Sequence, residues 1–125
     1  MAFDLVIEIP NVPGALEKAA TAISDAGVNI AAATCTGPAD TAQLHILVPH
    51  AEAAKHALRI SNLAVTSERE VVVVQAKDRP GELADLARKV ARAGVNLDLV
   101  YVATGSRVVF GADDFDALKA ALAQS

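Results

Sequence analysis

The chain has 125 residues, 53% of them hydrophobic and 3% aromatic, and a formal net charge of −4. The negative balance disfavours nonspecific binding to nucleic acid or anionic membrane, and the lack of Trp, with few Phe and Tyr, removes the stacking platforms that single-strand binders use. No apolar run is long enough to span a bilayer, no signal-peptide pattern opens the chain, and the single Cys35 rules out an intramolecular disulfide, so a cytoplasmic protein is expected.

Residues 3 to 9 alternate, with Phe3, Leu5, Ile7 and Ile9 on one face and Asp4 and Glu8 on the other, which predicts a half-buried strand. Pro10 to Gly14 breaks it. Leu16, Ala19, Ala20 and Ile23 then recur at helical spacing over 15 to 26, and Gly27 fits the left-handed position after a helix end. Ile30 to Thr36 reads as a second strand, Gly37 to Asp40 as a turn, and Leu44, Ile46 and Val48 as the buried face of a third strand. Ala51 to Ile60 reads as a helix and 63 to 66 as a short strand.

The second half repeats this order. Val71 to Val74 reads as a central strand, apolar on both faces. A helix follows, with a stripe of Leu83, Leu86, Ala87 and Val90; Glu82 and Asp85 sit early in it and Arg88, Lys89 and Arg92 late, the order the helix dipole favours. Leu97 to Val102 and Arg107 to Phe110 form strands about a Gly105-Ser106 turn, and Phe115, Leu118 and Leu122 mark a last helix. The repetition extends to the residues. At an offset of 67, eight of the eighteen positions from 13 to 30 are identical to those from 80 to 97: Pro, Gly, Leu, two Ala and the run Gly-Val-Asn. The chain reads as one duplicated unit, 1 to 66 and 67 to 125.

Each unit is β-α-β-β-α, with the strand 63 to 66 available to either. The simplest α+β solution is a ferredoxin-like antiparallel sheet with both helices on one face. The counterpart of 63 to 66 would fall beyond Ser125, so one sheet edge beside a first strand is left unfilled. Covering of that edge by the other unit or by a second chain is expected, and a homodimer with it.

The two loops carry the chemistry. An amino acid presents a carboxylate, which needs backbone N–H donors and the positive end of a helix dipole. Asn11-Val12-Pro13-Gly14-Ala15 and Asp78-Arg79-Pro80-Gly81-Glu82 each open a helix. The proline presets the turn and the glycine lets a ligand approach the backbone. Asn11 or Asp78 offers an acceptor for an ammonium, and Asn29 and Asn96 open the next strand with amides that both donate and accept. Asn11 and Asp78 equally fit helix caps, Gly14 and Gly81 equally fit packing glycines, and Asn29 and Asn96 equally fit bonding to turn backbone. The first loop is neutral where the second carries Asp78 and Arg79, so the two sites are expected to differ. His45, His50 and His56 match no compact zinc pattern, Cys35 has no identifiable base, and Asp113, Asp114 and Asp116 suit a helix start. No catalytic constellation, metal set or cofactor motif stands out.

Asn/Asp-x-Pro-Gly-x-Leu followed by a helix closing on Ala-Gly-Val-Asn-Ile/Leu resembles the ACT domain, and does so twice over nearly the whole chain. The first unit, with Asn11, Pro13, Gly14, Gly27 and Asn29, is most similar to the serine-sensing domain of phosphoglycerate dehydrogenase. The resemblance implies a non-enzymatic tandem regulatory protein that binds a small amino acid between two units or between units of different chains. It would act on a partner enzyme. The rival reading is a ligand-free assembly module for a partner enzyme or transcription factor.

Overall fold

The computed structural model describes residues 2 to 123. The elements run β1 (Ala2–Pro10), α1 (Ala15–Asp25), β2 (Ala33–Thr36), β3 (Thr41–Val48), α2 (Ala51–Ile60), β4 (Ala64–Gln75), α3 (Glu82–Arg92), β5 (Leu99–Ala103), β6 (Arg107–Gly111) and α4 (Phe115–Ala123). The chain forms two compact units that divide between Arg69 and Glu70. The outer limits expected at Met1 and Ser125 lie outside the described residues.

In the first unit the strand order is β2-β3-β1-β4. β1 and β3 pair antiparallel, with Leu5 opposite Ile46, Ile7 opposite Leu44 and Ile9 opposite Ala42. Strand side chains alternate between faces, so this register gathers the large aliphatic residues on one side. Ala19 and Ile23 of α1 and Ala51, Ala54 and Leu58 of α2 join that same cluster, which puts both helices on one face of the sheet. The second unit repeats the plan with β4-β6-β5. Val72 lies opposite Phe110 and Val74 opposite Val108, and Val90 of α3 and Leu118 of α4 close over Val108 and Phe110. The fold is α+β, antiparallel and ferredoxin-like, as the element pattern implies.

Three strands depart from the expected limits. β2 begins at Ala33 and β5 at Leu99. In both cases the residues after the helix are spent on closing it. Gly27 N–H donates to Ser24 O and Val28 N–H to Ile23 O; Gly94 N–H donates to Ala91 O and Val95 N–H to Val90 O. This is the Schellman closure. It needs a left-handed residue after the cap and an apolar residue next, and Gly27 and Gly94 take φ of 78° and 76°. α2 ends the same way, with Asn62 at φ 62° and Leu63 N–H donating to Leu58 O.

The third departure is larger. The short strand 63 to 66 and the strand Val71 to Val74 are one twelve-residue strand, β4. The segment Ser67-Glu68-Arg69-Glu70 between them has no Gly or Pro to turn it, and it stays extended. Its first half belongs to the first unit. Thr66 Oγ1 donates to Val6 O of β1 at 3.4 Å, and Lys55 Nζ of α2 lies 2.5 Å from Glu68 Oε1. That bond, followed by the one to Glu52, raises the affinity of the Lys55 amine for its proton.

Candidate functional site

The β1–α1 connection is built by a glycine and an asparagine. Gly14 takes φ 86° at the start of α1 with no side-chain cap, a conformation an L-residue adopts at a cost of about 1–2 kcal/mol. Asn11 does not cap the helix. Its Nδ2 donates to Gly37 O at 2.8 Å and Ala39 O at 2.7 Å, and its N–H donates to Asp40 O at 2.9 Å. Asn11 therefore pins the loop to the β2–β3 turn, and its amide nitrogen is committed there.

The remaining backbone of this loop is open. Ala15 N–H donates to Val12 O and Lys18 N–H to Gly14 O, while no bond among the described residues takes the N–H of Gly14, Leu16 or Glu17. Those groups are orphan donors of a helix start, aligned with its positive end. Of the three, Gly14 lines a cavity of about 580 Å³, with Ile9 and Pro10, the rest of the loop Val12 to Ala15, the α1 face carrying Lys18, Ala19 and Ala22, and the α2–β4 connection from Ser61 to Ala64. The volume falls in the range of small-molecule sites, roughly 300–1,000 Å³. Val12, Pro13, Gly14 and Ala15 thus come together on one cavity.

Asn29 does not join them. It lines a separate shallow depression with Ser24, Gly27 and Ile30, just past the far end of α1. An eleven-residue helix separates it from Gly14, a length of about 16 Å. In a βα unit the strand after the helix starts at the end opposite the loop before it, and that places Asn29 away from Asn11. Asn96, just past the end of α3, stands in the same relation to Gly81 in the second unit.

The twin loop has the same backbone and different chemistry. Gly81 takes φ 87°, again without a side-chain cap. Arg79 folds over the start of α3: its Nη2 lies 2.9 Å from Glu82 Oε1 and 2.9 Å from Asp85 Oδ2. Glu82 Oε2 accepts the N–H of Lys77 at 2.9 Å, and Arg88 Nη1 donates to Asp85 Oδ1 at 2.9 Å. The bond from Arg79, followed by that from Arg88, holds the Asp85 carboxyl below the ordinary carboxylate range. The second loop is closed by its own ion pairs. Asp78 is exposed and caps nothing, and a carboxylate cannot donate the two bonds its twin Asn11 makes.

Lys18 and the segment Ser61 to Ala64 escape sequence reading. The signal for Lys18 is there, since Ala15, Lys18, Ala19 and Ala22 follow helical spacing on one face. The α2–β4 segment reaches the cavity only through the tertiary fold. Among the histidines, His45 Nδ1 lies 2.9 Å from Oδ2 of the fully buried Asp4, a pairing a buried carboxylate requires. Among the described residues no group of His, Cys, Asp and Glu is arranged to hold a metal ion, and no helix is long and apolar enough to cross a membrane.

No family model matches the sequence, and no curated protein matches it. Solved structures do match the fold. Protein BT0572 from Bacteroides thetaiotaomicron superposes with a TM-score of 0.85 at 23% identity, covering 98% of this chain and 86% of that one. The ligand-free regulatory subunit of aspartate kinase from Thermus thermophilus superposes with a TM-score of 0.68 at 21% identity, covering 98% and 90%. The corresponding subunit from Thermus flavus gives 0.67 at 21% identity, covering 98% and 90%. At these identities the likeness shows the fold alone, the antiparallel ferredoxin-like α+β architecture described above.

Proposed function

We propose that the protein is a non-enzymatic regulatory module of the tandem ACT type that binds an amino acid at the first loop, Val12 to Ala15. The observation that carries this is the unclaimed N–H of Gly14 at the start of α1, on the wall of a cavity large enough for a small molecule. A carboxylate satisfies such donors without a cation, and the remainder of a small ligand has room. The named neighbours, two of them regulatory subunits of aspartate kinase, support a regulatory role. The sequence resemblance puts serine among the ligands to be screened. The second loop, neutralised by Arg79, Glu82 and Asp85, is the degenerate site in this reading.

The assembly reading has its own observation. β5 ends the strand order, and its Val100 and Val102 are exposed. An uncovered edge strand with apolar residues favours pairing with another chain. A homodimer that regulates a partner enzyme satisfies both readings.

A thermal-shift screen against the twenty amino acids separates them. A ligand that binds only the native state raises the melting temperature, by an amount set by RT ln(1 + [L]/Kd). At a ligand concentration a hundredfold above Kd the stabilisation is about 2.7 kcal/mol. At least one amino acid should give a saturable shift. A flat response to all twenty at millimolar concentration sinks the ligand reading and leaves the assembly one.

A further inference from the structure

We infer that the cavity beside the first loop takes an amino acid with an aliphatic side chain, its carboxylate held by Lys18; this rests on the amino-acid reading above and names the ligand class. The duplication supplies an internal comparison. At the offset of 67 residues, Val12, Ala15 and Lys18 correspond to Arg79, Glu82 and Asp85. In the second unit these three satisfy one another, with Arg79 bonded to both carboxylates. In the first unit the charge at the third position is reversed and its partners are gone. Lys18 is left exposed on the cavity wall, with no ion pair or side-chain hydrogen bond among the described residues. A ligand carboxylate supplies the missing anion.

The rest of the wall says what the carboxylate is attached to. Ala15, Ala19 and Ala22 face the cavity with Lys18, and Ile9, Val12 and Leu63 border it. The twins of the three alanines are Glu82, Leu86 and Lys89, each larger, so it is the small residues of α1 that leave the space. Hydrogen-bonding groups for a polar ligand side chain are few. Ser61 already donates its hydroxyl to Ala57 O and can only accept, which leaves the Asn62 amide as the side-chain donor beside Lys18. Glu8 also borders the cavity, but strand alternation carries its side chain to the face opposite Ile9. A polar side chain here would lose water and gain little, whereas each buried methylene should tighten binding about fourfold.

The test is calorimetric titration of the intact chain with L-alanine, L-valine, L-leucine, L-serine and L-aspartate, and with leucinamide, which keeps the ammonium and side chain but lacks the carboxylate. Affinity should rise from alanine through valine to leucine, by on the order of 50-fold over the three added carbons. Serine and aspartate should bind more weakly than leucine, and leucinamide at least about tenfold more weakly, the loss of one charge-assisted bond. Lys18→Met should cost leucine a similar factor and Lys18→Arg should restore most of it. Both variants alter an exposed residue and should melt as the wild type does. Serine or aspartate binding as tightly as leucine overturns the inference while the amino-acid reading stands. Leucinamide binding as tightly as leucine, or Lys18→Met leaving the affinity unchanged, overturns the role of Lys18. If none of these ligands binds and the full amino-acid screen is also flat, the amino-acid reading fails and the inference falls with it.

Discussion

Phe110→Ala should lower the unfolding free energy by about 3–5 kcal/mol, the largest loss expected of any single substitution in the second unit. Phe110 is fully buried and is the largest fully buried side chain among the described residues. It sits on β6 between Val72 of β4 and Val100 of β5, under Val90 and Leu118. The cluster around it is small, as expected for a unit of this size, and Val, Leu and Ala offer few atoms that could move into the space. Single domains have only about 5–15 kcal/mol of net stability, so the variant should unfold at a clearly lower urea concentration with little change in slope. A midpoint within error of the wild type would show that the second unit is not held together by this cluster.

Ile23→Ala should cost about 2–5 kcal/mol in the first unit. Ile23 has no exposed surface and packs with Leu5, Ile7, Ile46 and Leu58. It is also the helix-end residue whose carbonyl accepts the N–H of Val28, and Val28 packs against the same core. Truncation therefore opens a cavity at the point where α1 is closed by Gly27, with loss of contact to the residue after it. The same experiment on Ile60, which is exposed, should change stability by less than about 0.5 kcal/mol. Equal effects at the two positions would contradict the burial pattern.

The fold was largely legible because two periodicities repeat. Alternation at Leu5, Ile7 and Ile9 and again at Leu44 and Ile46 picks out the buried faces of β1 and β3, and helical spacing at Ala19 and Ile23 picks out α1. Gly-Val-Asn is legible as a repeat, and Gly27 as the left-handed residue after a helix end; the part played by Val28 and Val95 is not. The closure of both helices by Gly27 with Val28 and by Gly94 with Val95 accounts for the Gly and Val on architectural grounds. β4 reads as two strands because the polar stretch Ser67 to Glu70 interrupts the apolar pattern without deciding between a tight turn and an extended link; the Lys55–Glu68 bond belongs to the extended form.

The candidate site was half legible. Pro-Gly before a helix marks a loop with free N–H groups, and Val12 to Ala15 does line the cavity. Asn29 is expected beside that loop because it opens the next strand of a ferredoxin-like sheet, whereas the eleven-residue helix between them sets the distance. Arg79 was visible as a charge, but its pairing with Glu82 and Asp85 depends on rotamers that no pattern specifies. The value of the duplication lies there. The two loops share a backbone, and the side chains that differ separate a self-neutralised loop from an open one.

The most direct test of the central claim is to record amide chemical shifts of the intact chain during titration with L-leucine. The largest saturable changes are expected at Gly14, Leu16, Lys18, Ala19, Ala22 and Leu63, with Gly81 to Lys89 little affected. Changes concentrated at Gly81 to Lys89, or around Asn29 with Gly14 to Ala22 unmoved, would contradict it.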